Sequence, residues 1–321
     1  MKSHWSASLR FLGQQLAGSD SDSTGQSGPE APPEFLFERR PPRSGAHPIT
    51  EGSAGHEQGG RTFLVRTKRA PHALARSENL SFSAVEVPAL TITTNPSNSI
   101  SIVGAQRDDW LLEFRAEADG KSEVEASERL RHISMSRSGG LISIRSSESD
   151  QSYKLRGFLV VQAPKAAPVV VHGSYSAAEI LDMASAVHVA APHARATILD
   201  TTSQVDATAT VIDFAGSRGR VTLSAEAEIN IKLRAPLFEG SLTAWSQGTV
   251  RVLLPPGFAT HFRAIVSRSD NFVCRADIRS DIKSETKYGL CEFTYAAGTG
   301  ANTRPVIELR SDQGVVLLDT R

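Results

Sequence analysis

Four short segments of the chain, 169–171, 187–189, 205–207 and 221–223, each place apolar side chains two residues apart, and they begin 18, 18 and 16 residues after one another (169, 187, 205, 221). Alternate residues of a strand face the same side, so both apolar positions of each segment point into one interior. A small-residue stretch follows each segment, then a second apolar pair. Two or three such strands per turn, joined at Gly, Ser, Asp or Asn bends, make a rung of this length. Stacked rungs place equivalent positions about 4.8 Å apart in parallel sheets. One rung cannot bury its own face, so the coil is stable only as a stack. Small residues such as those of "AAPHARA" (190–196) suit a narrow interior. The step lengthens after Gly240, and "VIELRSDQGVVLLD" (306–319) repeats the strand, Gly turn, strand unit once more. The pattern predicts an all-β chain whose residues 156–321 form a parallel β-solenoid, or β-helix. An antiparallel sandwich is the competing arrangement, but its hairpins call for frequent Asn-Gly or Asp-Gly turns, which this stretch lacks. Right-handed winding is the default for parallel crossovers, although solenoids of both hands exist.

Upstream, residues 61–155 carry strand-like runs between turn signals: "RTFLVRT", "ALTITT", "SISIVGA", "DWLLEFRAEA", "HISMSRS" and "LISIRS". "NPSN" (95–98) and "SGG" (138–140) are the turns, through proline's fixed φ and glycine's freedom. The basic run 66–69 reads as a solvated strand edge. One stretch, 120–132, has helix-forming composition; Val124, Ser127 and Leu130 lie at helical spacing, and Ser122 with Glu125 makes a capping box. A short helix there is expected to close one side of a small β-rich module. Residues 1–60 are rich in Ser, Gly, Pro and charge without sustained period, and are expected to form a disordered tail. Within it Trp5, Leu9, Leu12 and Leu16 fall at helical spacing, and "EFLFE" (34–38) is an apolar cluster that could dock as a strand.

The runs "ITTNPSNSISIVGAQRDDWLLEFRAEA" and "LISIRSS", the units "WSQGTVRVLLPPGF" and "GTGANTRPVIELRSDQGVVLL", and the helix between them are similar to the bacterial putative-adhesin β-solenoid domain, a family of unknown function. The resemblance spans roughly residues 80–320. That family is defined by spaced strands and glycine turns, not by catalytic motifs. Its Ser-Gly-Asp-Val corners become "SAV", "SQV" and "SRGRV" here. The resemblance implies a non-catalytic adhesin-like structural or binding module at the bacterial cell envelope, facing an unknown protein or glycan. Members often carry an export signal or membrane helix. No stretch here reaches the roughly 18 to 20 apolar residues of a membrane span. With Met1 as the start the chain is expected to be cytoplasmic; an export signal upstream would place it in the envelope or outside.

Charge and candidate chemistry narrow this picture. Lys plus Arg and Asp plus Glu each number 35, so no net charge draws the chain to nucleic acid. The two cysteines, Cys274 and Cys291, could bridge if neighbouring strands bring them together or remain separate buried thiols. No cofactor motif, nucleophile elbow or HExxH is present, and "GTGAN" (298–302) reads as a loop. The Ile-Leu-Asp triplet 180–182 returns at 198–200, with a weaker echo at 211–213. If Asp182, Asp200 and Asp213 shared one corner of successive coils, they would stand about 5–7 Å apart. Carboxylates at that spacing can work on glycosidic bonds or collect a cation. Aspartate is also a common corner residue that caps its own turn. His172, His188 and His193 could form a loose surface cluster, and Asn79 begins a glycosylation sequon. The alternatives to a binding module are a polysaccharide-acting β-helix enzyme using the aspartate column, or a regulator of envelope stress acting through the tail.

Overall fold

The computed structural model describes residues 63–66 (backbone only), 72–95, 98–147, 154–296 and 306–320. The expectations for the tail, including the 5–16 helix and "EFLFE", lie outside the described residues, as do most of the 66–69 run and "GTGAN".

The described chain is all-β with a single α-helix. Strands β1 (Phe63–Arg66), β2 (Ala73–Ser83), β3 (Leu90–Thr94), β4 (Asn98–Ala105) and β5 (Asp109–Asp119) precede helix α1 (Glu123–Arg131). After it come β6 (Ile133–Ser138), β7 (Leu141–Ser146), β8 (Leu155–Pro164), β9 (Val169–Gly173) and β10 (Ala177–Leu181). Three long strands follow: β11 (Val187–Leu199), β12 (Gln204–Gly216) and β13 (Arg218–Leu233). The last are β14 (Glu239–Ser246), β15 (Thr249–Leu254), β16 (Phe262–Val266), β17 (Phe272–Cys274), β18 (Lys283–Lys287), β19 (Leu290–Tyr295), β20 (Ile307–Ser311) and β21 (Val316–Thr320).

These strands pair into two ladders. The first is parallel in the order β7, β3, β9, β11, β12, β13, β14, β20, β16. The second is parallel in the order β8, β4, β10, β11, β12, β13, β15, β21, β17. Strands β11, β12 and β13 bend and serve both. The four spaced segments read from sequence stack in register: Val169, Val187, Val205 and Val221 are successive neighbours, as are Val171, Val189, Ala207 and Leu223.

Pairing turns antiparallel towards the ends. β6 runs against β7, β19 lies between β16 and β18, and β1, β2 and β5 extend the second ladder beyond β8. The sheet is therefore mixed, which the expectation of a wholly parallel coil over 156–321 did not include. The β18–β19 hairpin turns on Tyr288 (φ 52) and Gly289 (φ 78), both left-handed, as a two-residue hairpin requires. Such a Tyr-Gly turn carries neither of the dipeptides that mark hairpins in sequence. Hairpins at the ends also blunt an open parallel edge, which would otherwise recruit further strands.

Chain order and spatial order part company at both ends. The first rung in sequence, β3 with β4, sits between β7 with β8 and β9 with β10. The last, β20 with β21, sits between β14 with β15 and β16 with β17. Each of these rungs is thus clamped one layer inside the stack. The final unit does repeat the strand-turn-strand pattern, but it inserts instead of extending.

The interior rows explain the alternation. One row on the first ladder is Leu90, Val169, Val187, Val205, Val221, Leu242, Ile307 and Phe262. Its counterpart on the second is Ile102, Ile180, Ile198, Phe214, Ile231, Val252 and Leu318. All fifteen are at least 98 % buried and belong to one continuous core. Each aliphatic side chain so placed contributes about 1.5–3 kcal/mol relative to exposure. Alanines at 191, 196, 207 and 209 fill the narrow positions beside them.

Helix α1 forms where expected and packs against β2, β5 and β6. The Glu125 N–H donates to Ser122 Oγ (3.2 Å), while the Glu125 carboxylate accepts from the Lys121 N–H (2.7 Å), one residue outside the usual box. Its buried face is Ala126 and Leu130; Val124, read as part of that face, is exposed. Strand β2 was not among the runs read from sequence. Its centre, Arg76 to Asn79, is polar, and pairing with β5 along its whole length holds it extended.

Candidate functional site

The aspartate column is the first feature to place. Ile180 and Leu181 pair in register with Ile198 and Leu199, so Asp182 and Asp200 follow at equivalent corners. Both are left-handed (φ 56 and 57), a conformation aspartate tolerates better than most residues. Each backbone N–H bonds the next rung, Asp182 to Leu199 O and Asp200 to Ala215 O. The Asp200 carboxylate takes the Arg234 guanidinium at 2.9 Å.

Asp213 does not join them. Between Ala191 and Arg195 the register against β12 slips by two residues, so Ile198 pairs with Phe214, and Asp213 pairs with Thr197 and Asn230 in mid-strand. The residue that follows Ala215 at the corner is Gly216. Asp213 is 94 % buried; it accepts from Arg195 (2.6 Å) and from the Asn230 side-chain amide (3.0 Å). Its charge-assisted bonds tie three neighbouring strands together.

The histidines lie on the first ladder and its corner. His172 and His188 stand edge to face at 5.7 Å between ring centroids. His193, left-handed at φ 61, stacks on Tyr175 (φ 59) at 4.8 Å, with Nδ1 4.0 Å from Glu226. Among the described residues no group of three or more His, Cys, Asp or Glu side chains is placed to hold a metal ion. Cys274 and Cys291 are separate thiols, and burial pushes the Cys274 thiol above its ordinary range. Asn79 is exposed in the middle of β2.

The outer face of the first ladder holds a feature to which the sequence reading gave no role. In β14, Leu242, Ala244 and Ser246 point inward, so Thr243 and Trp245 point out. Two outward rows result: Thr243, Glu308, Arg263 and Trp245, Arg310, Ile265. All of these except Arg263 line a groove of about 360 Å³ that also reaches Asp312. The Trp245 indole N–H donates to Asp312 Oδ2 (3.0 Å), and Arg310 Nε donates to Asp312 Oδ1 (2.8 Å). One carboxylate thus fixes both groups. On the other side Arg263 donates to Glu292 (2.9 Å), and this bond, with Glu308 adding to it, holds the guanidinium above its usual pKa. The signal was in the parity of "SLTAWS": an aromatic residue stands on the outward positions.

An all-β stack with patterned outer rows is the class that this geometry defines. No family model matches the sequence. No curated protein matches it either. Among solved structures, the chain is similar to a putative cell adhesion protein from Clostridium sporogenes, at 9% identity over 77% of this chain and 98% of that one, with a TM-score of 0.31. A putative adhesin from Bacteroides fragilis gives 9% identity over 76% and 97%, with a TM-score of 0.30. Another from Parabacteroides merdae gives 7% over 75% and 95%, with a TM-score of 0.32. They bear the same description as the family that residues 80–320 resemble.

Proposed function

We propose that the protein is a non-catalytic, adhesin-like binding module of the bacterial cell envelope, built as a β-solenoid whose long outer faces meet an extended partner. In this reading residues 156–321 supply most of the coils, 61–155 a β-rich module whose β3, β4 and β7 continue the same ladders, and 1–60 a tether. The observation that carries it is the register: nine successive parallel strands of the first ladder line up equivalent outward side chains in rows. Rows spaced by about 4.8 Å suit a ligand that is itself extended. The candidate aspartates fit structural work in the same reading, since Asp200 anchors Arg234 and Asp213 anchors Arg195 and Asn230. The test is co-sedimentation of the full chain with intact bacterial cells and with isolated cell-wall polymer. Saturable binding that persists when residues 1–60 are removed is the expected result. Absence of binding to either, or hydrolysis of the polymer that Asp182→Ala with Asp200→Ala abolishes while the fold is retained, overturns it.

A further inference from the structure

We infer that the groove around Trp245 is a subsite for an uncharged sugar ring of a glycan chain. This rests on the binding-module reading and names the ligand class for one part of its surface. Trp245 is 37 % exposed, and with Ile265 in the same outward row its ring gives this face open apolar area among charged side chains. The ring does not swing freely, because its N–H is tied to Asp312, which Arg310 grips in turn. A rigid aromatic face costs little conformational entropy when a ligand covers it, and its negative π surface attracts the weakly positive C–H edges that one side of a pyranose presents.

The charges around the ring select the ligand. Arg310 is paired with Asp312, and Arg263 is paired with Glu292 and lies beside Glu308. In the lining itself basic Arg310 stands between acidic Glu308 and Asp312, and Arg263 lies just outside beside Glu308, which leaves no uniform field to draw a polyanion or a polycation. What remains is a dense set of donors and acceptors beside an apolar plate: the Thr243 hydroxyl, the Glu308 carboxylate and the outer nitrogens of Arg310. A neutral molecule with hydroxyls at its rim and C–H groups on one face satisfies all of them. A peptide offers hydrogen bonds mainly along its backbone, and β14, β20 and β16 already spend theirs on one another.

The test is isothermal titration calorimetry of the full chain and its variants, with tryptophan fluorescence as a second readout in the wild type. Of three tryptophans, Trp110 is fully buried, so a ligand on the groove reports through Trp245 against a constant background from that residue. Cellohexaose, chitohexaose and maltohexaose are the probes, with polygalacturonate and unfolded casein as the polyanion and polypeptide comparisons. The expected result is a saturable change with at least one neutral hexasaccharide, weakened about tenfold or more by Trp245→Ala and held within a few-fold by Trp245→Phe. Silence from all three sugars, an unchanged affinity in Trp245→Ala with far-UV circular dichroism intact, or a response to casein or polygalacturonate alone overturns the inference. Cell binding separates the two proposals. If the Trp245→Ala chain still binds cells, the envelope reading stands without this subsite; if the wild-type chain binds sugar but no cells, the subsite stands without the envelope reading.

Discussion

Residues whose side chains recur in sequence turn out to do different work according to a few positions of register. Asp182 and Asp200 sit at left-handed corners, whereas Asp213 lies inside a strand and is enclosed by Arg195 and Asn230. Asp213→Ala would leave a buried amide and a guanidinium without their shared acceptor. It is expected to lower stability by about 1–3 kcal/mol, measured by urea unfolding, while Asp182→Gly, which suits a left-handed corner, should change it little. Glu125 carries a pH dependence. Bonds from the Lys121 backbone and the Arg129 side chain hold its carboxyl below the ordinary 4.5. A folded pKa lower than the unfolded one adds stability that is complete above the unfolded value and is lost as pH falls through the folded one. Thermal unfolding of wild type and Glu125→Gln, compared from neutral pH down past 4.5, should therefore converge at the acid end. A gap that widens in acid would contradict the cap.

At the scale of single elements, most strands were legible because alternation marks a half-buried strand whatever its partners. The four spaced segments, β3 to β7 and α1 fall where the pattern put them. What periodicity could not give was direction of pairing, since inward and outward positions alternate alike in parallel and antiparallel ladders. The strands β18 and β2 escaped earlier still, because β18 is exposed at every position and the centre of β2 is polar, so neither shows the alternation. Corners are set by close backbone approach more than by side-chain chemistry. Gly219 (φ 123) and Gly240 (φ 121) stack at the turn into the first ladder, and a Cβ on Gly240 would collide with the Gly219 carbonyl. Gly240→Ala is expected to cost about 1–3 kcal/mol, from strain at a φ that alanine resists and from the contact. The drop in denaturation midpoint would check it; Gly139→Ala, which faces open space, serves as the milder comparison.

For the whole molecule, the inward placement of both end rungs governs how the stack is completed. β20 and β21 supply the surface on which β16 and β17 rest, so a chain ending at residue 296 should leave β14 and β15 open on one side and β16 and β17 open on the other. Such a chain is expected to lose cooperative unfolding and to aggregate, as open edges invite. A synthetic peptide of residues 297–321 added in trans should restore the circular dichroism spectrum and a sharp transition. A truncated chain that unfolds as sharply as the full one would show that the inserted rung adds nothing. The insertion also requires pairing between segments far apart in sequence, which slows folding. The sequence by itself determined the all-β class, the inward rows and the spacing of the rungs, because these follow from the two-residue alternation and from the need of each rung to cover its neighbour's apolar face. Only the tertiary structure decided which rung lies next to which, which aspartate reaches a corner and which aromatic side chain fronts a groove, because those depend on register slips and on where the chain ends re-enter the stack, and neither leaves a periodic trace.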